Sequence, residues 1–537
     1  MWARLGCAVV LVAATTGTGV AQRRTDAVPS SPDDKMVVHV LNRLGFGPGP
    51  GDVDRVRRLG LAAYIEQQLQ PSRIADDAMT ARLAAFETLT MSTRDLAAKY
   101  YLPAQMQRRE VQRAEAAAAA KPDMRSEISA PPAADRPENK GMQGERLVLA
   151  ELAQQKILRA AYSERQLDEV LVDFWFNHFN VFAGKGQTRI YVTEYERDTI
   201  RPHVLGKFRD LLGAVAESPA MLFYLDNWQS AVPGDAATSM NMRRRRAGVR
   251  QQAMQPAPAP TRRRGINENY ARELMELHTL GVDGGYAQKD VQEIARAFTG
   301  WTIDVPRQGG GFRFESRMHD SGEKTVLGKT IRAGGGKKDG EQVLDLLATH
   351  PSTARFIATK LARRFVADDP PAALVDRAAA RFKETDGDIR EVVRVIITSP
   401  EFFAASSYRA KVKTPLEFVA SAVRAAGVDV RNGLLLAQSM RQLGMPLYMC
   451  QPPTGYSDKA EAWVNTGALL NRMNFAVTLS SHPRRAGSTA TVVTEDQIAS
   501  VVLAGDVSQT TRATVARATT EQQKIALLLG SPDFQKR

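Results

Sequence analysis

Two segments of this 537-residue chain carry side chains that can do chemistry. The first reads Phe174-Trp175-Phe176-Asn177-His178-Phe179-Asn180. The second reads Asn267-Glu268-Asn269-Tyr270-Ala271-Arg272-Glu273-Leu274-Met275-Glu276-Leu277-His278. At about 100° per residue, Leu167, Leu171, Phe174, Trp175, Val181 and Phe182 share one face of the first, with His178 in its middle. Tyr270, Leu274, Leu277 and Gly281 define the apolar face of the second, and His278 lies beside Leu274. Glu273 sits on the flank of that face, where partial burial is expected. A buried carboxyl has its pKa pushed toward neutrality, as general acid–base work requires. Glu273 with His178 and His278, supported by Asp226 or Asp320, is therefore the candidate catalytic set. His plus carboxylate also suits several divalent ions. However, Glu276-Leu277-His278 is spaced i, i+2, which points the side chains apart, so no ferritin-type Glu-x-x-His pair stands there. The residues name neither a metal nor any other cofactor.

A plainer reading stands beside this one. A histidine on an apolar stripe is more often a core residue, and Glu273 then pairs with an arginine such as Arg197 or Arg296. A core polar group without a partner costs ~1–3 kcal/mol, and the nearest partners in sequence are Asn267, Asn269 and Glu273. Glu268, Arg272 and Glu276, at i, i+4 and i+8, form an exposed ladder. On this reading the helical body scaffolds a partner or an envelope polymer.

The elements that must position these residues are mostly helices. Ser163-Glu164-Arg165-Gln166 predicts a capping box before a helix running to Phe182 and closed by Gly184. Asp290 predicts the cap of a helix stopped by Gly300. Ser218-Pro219, Ser399-Pro400 and Ser531-Pro532 each place Ser at the N-cap and Pro at the first helical position. Strand signals are few: Phe312-Arg313-Phe314 alternates, and Thr325-Val326-Leu327 and Thr330-Ile331 flank Gly328, predicting one small hairpin. The fold class is mainly α, a multi-helix globular body with one small β-hairpin and two low-complexity insertions. Ser321 to Thr330 resembles a P-loop, but five residues rather than four separate Gly322 from Gly328, so the phosphate-cradling geometry is lost. Gly45, Gly47, Gly49 and Gly51, interrupted by Pro48 and Pro50, form a turn between helices. Neither His-Glu-x-x-His nor Gly-x-Ser-x-Gly occurs.

With 43% hydrophobic and 24% charged residues, the composition excludes wholesale disorder and a polytopic membrane protein. Residues 1–21 read as a signal peptide: Arg4, the apolar Leu5 to Ala14, then Gly19-Val20-Ala21 before Gln22. Export to the periplasm or the medium is the expectation. Cleavage removes Cys7 and leaves Cys450 as the single cysteine, a small buried apolar residue rather than a nucleophile. Residues 36–113 form an N-terminal helical block, 114–141 a low-complexity linker, and 142–535 the main body. Net charge is +13, but eight arginines lie within 236–264, and without them and Arg4 only +4 remains. That segment, with its Pro-Ala run, predicts a disordered basic loop that can touch an anionic envelope surface. It has no aromatic residue, and this disfavours a nucleic-acid partner.

The second segment, extended through Thr279-Leu280-Gly281-Val282, resembles the signature of the bacterial family called "domain of unknown function 1800". Tyr286, Asp290-Val291, Ala295-Arg296 and Thr299-Gly300-Trp301 continue the match. So do Arg43 to Gly47, Phe174 to Phe179, Ser218 to Leu222, Leu225-Asp226-Asn227, His319-Asp320, His350 to Ala354 and Pro452-Pro453. Gly455-Tyr456 departs from a usual Gly-Trp. The matching pieces supply the candidate binding residues: Asn177, Asp226, Asn227, Asn267, Asn269, Arg272, Trp301, His319 and Asp320. The resemblance implies a large exported protein without an established activity, and a sulfatase-like partner encoded nearby.

Overall fold

The computed structural model describes residues 28–119, 138–232, 265–481 and 493–537. The signal segment 1–21, the basic loop 236–264 and most of the 114–141 linker lie outside them. Among the described residues the chain is mainly helical, and no helix is long and apolar enough to cross a membrane.

Asp33 starts the first helix, Asp34–Arg43, by accepting the Met36 N–H at 2.8 Å. The glycine-rich turn that follows leads into Asp52–Leu59 and clasps the far end of the chain. Arg424, in the helix Pro415–Ala425, donates to the Gly47 carbonyl and pairs with Asp52, both at 2.7 Å. Gly47 has φ +90°, and a Cβ there would meet Ser421 Oγ at 2.8 Å, so glycine is required twice over.

The middle of the body packs the long helix Glu138–Tyr162 against Gln166–His178. The expected capping box at Ser163 is absent. Asp76 takes the Ser163 hydroxyl at 2.7 Å, while Gln166 turns back to the Ala160 and Ser163 carbonyls and accepts the Phe46 N–H. The helix also ends at His178 rather than Phe182. Beyond it the main chain leaves to pair Ala183 N–H with the Tyr448 carbonyl at 3.0 Å. Asp290 is the third residue of Gln288–Ala297, not its cap, and its carboxylate accepts the Ala287 N–H. Ser218 and Ser531 cap helices as expected, whereas Ser399 holds only a turn.

Among the described residues two antiparallel strand pairs are present rather than one hairpin. β1 (Trp301–Ile303) pairs with β2 (Phe312–Phe314), and β3 (Lys324–Val326) with β4 (Lys329–Ile331) around Leu327-Gly328. Trp301, fully buried, supplies the missing partner strand because its indole must enter the core between Phe298 and Phe312.

Glu417 ties together three segments of the C-terminal half. Its carboxylate binds Arg364, Arg537 (2.9 Å) and the Thr414 N–H (2.8 Å), and these donors hold its pKa down to about 2 against the effect of burial. Removing one partner of a buried pair strands the others. Glu417→Gln should therefore cost about 3–5 kcal/mol in urea unfolding, against about 0–1 kcal/mol for disrupting the exposed Arg355–Asp376 pair by Asp376→Asn.

Candidate functional site

The second motif helix begins at Glu268 because Asn267 caps it. Asn267 accepts the Tyr270 N–H at 3.1 Å and donates to the Leu225 carbonyl at 2.7 Å. At Leu274 the helix widens into a π-turn that runs to Thr279. The Thr279 hydroxyl takes the Leu274 carbonyl at 2.7 Å, and Gly281 N–H the Met275 carbonyl at 3.1 Å. The wider turn rotates the buried face, so Met275 is in the core and Leu277 only half-buried, the reverse of a uniform 100° wheel.

His178 and His278 meet with ring centroids 6.3 Å apart, each 2% exposed. Phe174, Trp175, Phe179 and Phe356 surround the His178 ring. Its Nε2–H donates to the His278 carbonyl at 3.1 Å. That carbonyl lies in the last turn of its helix, where no intrahelical donor remains, so the histidine side chain closes the helix end. Nδ1 of His178 and Nε2 of His278 are buried without a partner. Burial, reinforced by the Lys360 ammonium, holds both rings neutral: His278 falls to about 3 and His178 well below the ordinary histidine range.

Asn177 and Asn180, on either side, do similar work on the loop 448–456. Asn177 exchanges two hydrogen bonds with the Tyr456 main chain, at 2.8 and 2.7 Å. Asn180 donates to the carbonyls of Cys450 and Pro452. A Cβ on Gly455, which has φ +73°, would lie 2.3 Å from the Asn177 carbonyl oxygen. Tyr456, at the position that departs from Gly-Trp, donates its hydroxyl to the Pro446 carbonyl.

All these segments fall within residues 39–536, which match the model of the family described as "Protein of unknown function (DUF1800)". The chain belongs to this family. No curated protein and no solved structure matches it. In this DUF1800 protein His178, Asn177 and Asn180 thus tie helix ends and loops together.

Glu273 makes no hydrogen bond to either histidine. It is half-buried and makes no hydrogen bond or ion pair among the described residues, and burial with the neighbouring Glu276 pushes its carboxyl up. The partners expected for it are committed elsewhere. Arg197 binds Asp198 and the Leu89 and Met91 carbonyls, and Arg296 holds Glu293 and Asp320. Asn269 is exposed and reaches neither ring. The expected ladder is split, because Gln288 bridges Glu268 and Arg272 while Arg272 meets Glu276 at 3.4 Å. Asp226 pairs with Lys185, and Asn227 donates to the Phe298 and Trp301 carbonyls.

His319 belongs to a separate buried group, 2.8 Å from the Thr299 carbonyl and 3.2 Å from Asp339, which also binds Lys324 at 2.6 Å. Asp320 beside it is held below the usual carboxylate range by Arg296. Lys324, Asp339 and Lys360 carried no sequence signal, since Lys324 and Asp339 meet across 15 residues and Lys360 acts on rings 82 or more residues away; Asn180, inside the first motif, did carry one. Among the described residues no three His, Cys, Asp or Glu side chains gather as a metal-binding group.

The buried histidines set a pH dependence. Between about 6.5 and about 3, unfolded His278 takes up a proton that the folded protein refuses. Stability from this group is therefore full above about 6.5 and falls as the pH falls. Urea unfolding should show wild type losing about 1.4 kcal/mol more per pH unit than His278→Gln between pH 6 and 5. Equal slopes would mean that the ring titrates normally.

Proposed function

We propose that this protein is an exported helical binding and assembly component of the bacterial envelope. One observation carries the reading: His178 and the amides Asn177, Asn227 and Asn267, singled out for chemistry, are spent on main-chain groups. His178 closes a helix end, Asn177 and Asn180 pin the Tyr448–Tyr456 loop, and Asn227 and Asn267 fasten carbonyls of neighbouring turns. The rings of His178 and His278 lie in an aromatic surround and stay neutral, which suits a scaffold better than proton transfer. Export rests on the signal-like segment 1–21.

The surface for a partner is the outer face of the helix Thr466–Ser480. Leu469, Leu470 and Val477 are exposed there, whereas Arg472, Phe475, Ala476 and Leu479 are buried. The helix has no lysine or acid and its one arginine is inside, so an anionic membrane has nothing to attract it there. The occupant fitting this face is the apolar side of a protein, and the sulfatase-like neighbour is the partner to test. A second reading, general acid catalysis, rests on Glu273, whose raised carboxyl has no hydrogen-bonding partner.

The mature protein should begin near Gln22 and be recovered outside the cytoplasm; an intact Met1 on cytosolic protein contradicts export. Purified wild type should bind the purified neighbour, and Leu470→Glu should abolish binding while Tm holds. Undiminished binding by Leu470→Glu removes this face from the account. Loss of a substrate turnover in Glu273→Gln with unchanged Tm would favour the enzyme.

A further inference from the structure

Lys324 opens β3, paired with Ile331 of β4, and its side chain is turned into the core. The Lys324 and Asp339 side chains are both 0% exposed. Asp339 lies in the first turn of the helix Lys337–Thr349, and its Oδ2 stands 2.6 Å from Lys324 Nζ. Nζ also faces the carbonyls of Asp320 at 2.5 Å and Gly322 at 2.8 Å. These two carbonyls take two of the three hydrogen-bonding directions of the amine, and the third points at the Asp339 carboxyl. Room for that carboxyl depends on Gly335, where a Cβ would lie 2.0 Å from Asp339 Oδ1. Oδ1 itself is buried without a hydrogen-bond partner. As an ion pair the group is therefore incompletely satisfied, and a buried carboxylate left half bare is costly.

His319 supplies what a simple ion pair does not need. Its Nδ1–H donates to the Thr299 carbonyl at 2.8 Å, so in that tautomer Nε2 carries a lone pair. Nε2 stands 3.2 Å from Asp339 Oδ2. Two acceptors at that distance attract each other only with a proton between them. Moving one Nζ proton to Oδ2, where Nε2 accepts it, meets that requirement. It also makes Oδ2 a leaving group and turns the amine lone pair toward the carboxyl carbon. The His319 side chain is 3% exposed, and Phe314 packs across its ring at 5.3 Å between centres. Bulk water is thereby kept from all three groups.

We propose that Lys324 and Asp339 condense to an amide, an internal isopeptide cross-link between β3 and the helix Lys337–Thr349, with His319 as the proton carrier. Nζ adds to Asp339 Cγ, and the Cγ–Oδ2 bond breaks. Two hydrogens leave the Lys324 ammonium and depart with Oδ2 as water. His319 ends as it began, and Oδ1 remains as the amide carbonyl oxygen. No oxidant, reductant or other reactant enters. Holding amine and carboxyl in contact replaces a bimolecular encounter, an advantage of roughly 10⁵–10⁸ M in effective concentration. The neutral product also removes two buried charges. The cross-link is separate from the partner face on the helix Thr466–Ser480.

Mass spectrometry of tryptic peptides from the purified full chain tests it. An unlinked chain releases 318–324, 325–329 and 339–355 as separate peptides. The cross-linked chain should instead release one branched peptide in which 318–329 is joined to 339–355, because trypsin does not cut after an acylated lysine. Its mass should be that of the two arms less one water, and fragmentation should place the branch at Lys324 and Asp339. Freshly synthesised His319→Gln, with folding checked by circular dichroism, should form the branch about a hundredfold more slowly than wild type, the loss expected for a proton carrier. Separate 318–324 and 339–355 with no branched peptide in the wild type overturn the proposal. So does loss of one water confined to 339–355, which marks a succinimide at Asp339-Gly340 rather than a cross-link. Branching in His319→Gln at the wild-type rate overturns the part given to His319.

Discussion

A carbonyl left at the end of a helix or inside a loop, away from water, must find a donor, and this requirement organises the centre of the molecule. The His278 carbonyl is met by the His178 ring, those of Cys450 and Pro452 by Asn180, and that of Tyr456 by Asn177. Asn267 and Asn227 do the same for Leu225, Phe298 and Trp301. Each bond joins segments far apart in the chain, so satisfying the backbone also fixes the packing of the two motif helices and the loop across them.

Buried charge adds a second layer of fastening. Lys156, on the long helix Glu138–Tyr162, meets Asp173 at 3.2 Å and Glu196 at 3.6 Å, and Arg201 closes the group through Glu169 at 2.7 Å. The Tyr448 hydroxyl donates to Glu196 at 2.8 Å. Tyr448 itself sits at φ +62°, a conformation that costs a non-glycine residue energy. The bonds at both its ends, to Glu196 and from Ala183, hold it there, and the loop pinned by Asn177 and Asn180 starts from this residue. Ion pairs and amide clasps therefore act on the same loop.

Much of this was legible in the sequence, and the misses have distinct physical causes. The helical class, the turn between the first helices and the Leu327-Gly328 hairpin depend on neighbours a few residues apart. The approach of His178 to His278 also followed from the sequence, because both project from core-facing stripes. Two misses involve partners from elsewhere in the chain: Asp76 takes Ser163 away from its capping box, and Trp301 pairs with Phe312–Phe314 across an unpatterned loop. Arg197 and Arg296 instead take nearer acids, Asp198 and Glu293, in place of Glu273. The partner of His178 is a main-chain carbonyl, which no residue type announces. The π-turn at Leu274 puts Met275 in the core in place of Leu277, whereas helical periodicity assumes an unbroken α-helix.

The central claim is that His178 is an architectural donor, neutral and committed through Nε2. Nitrogen NMR of the folded protein labelled at its seven histidines tests this directly, with His178→Gln used for assignment. The account predicts that the His178 ring is the Nε2–H tautomer, its proton protected from exchange, with no titration between pH 8 and 5. A ring that titrates near the ordinary histidine value, or that carries its proton on Nδ1, would contradict it.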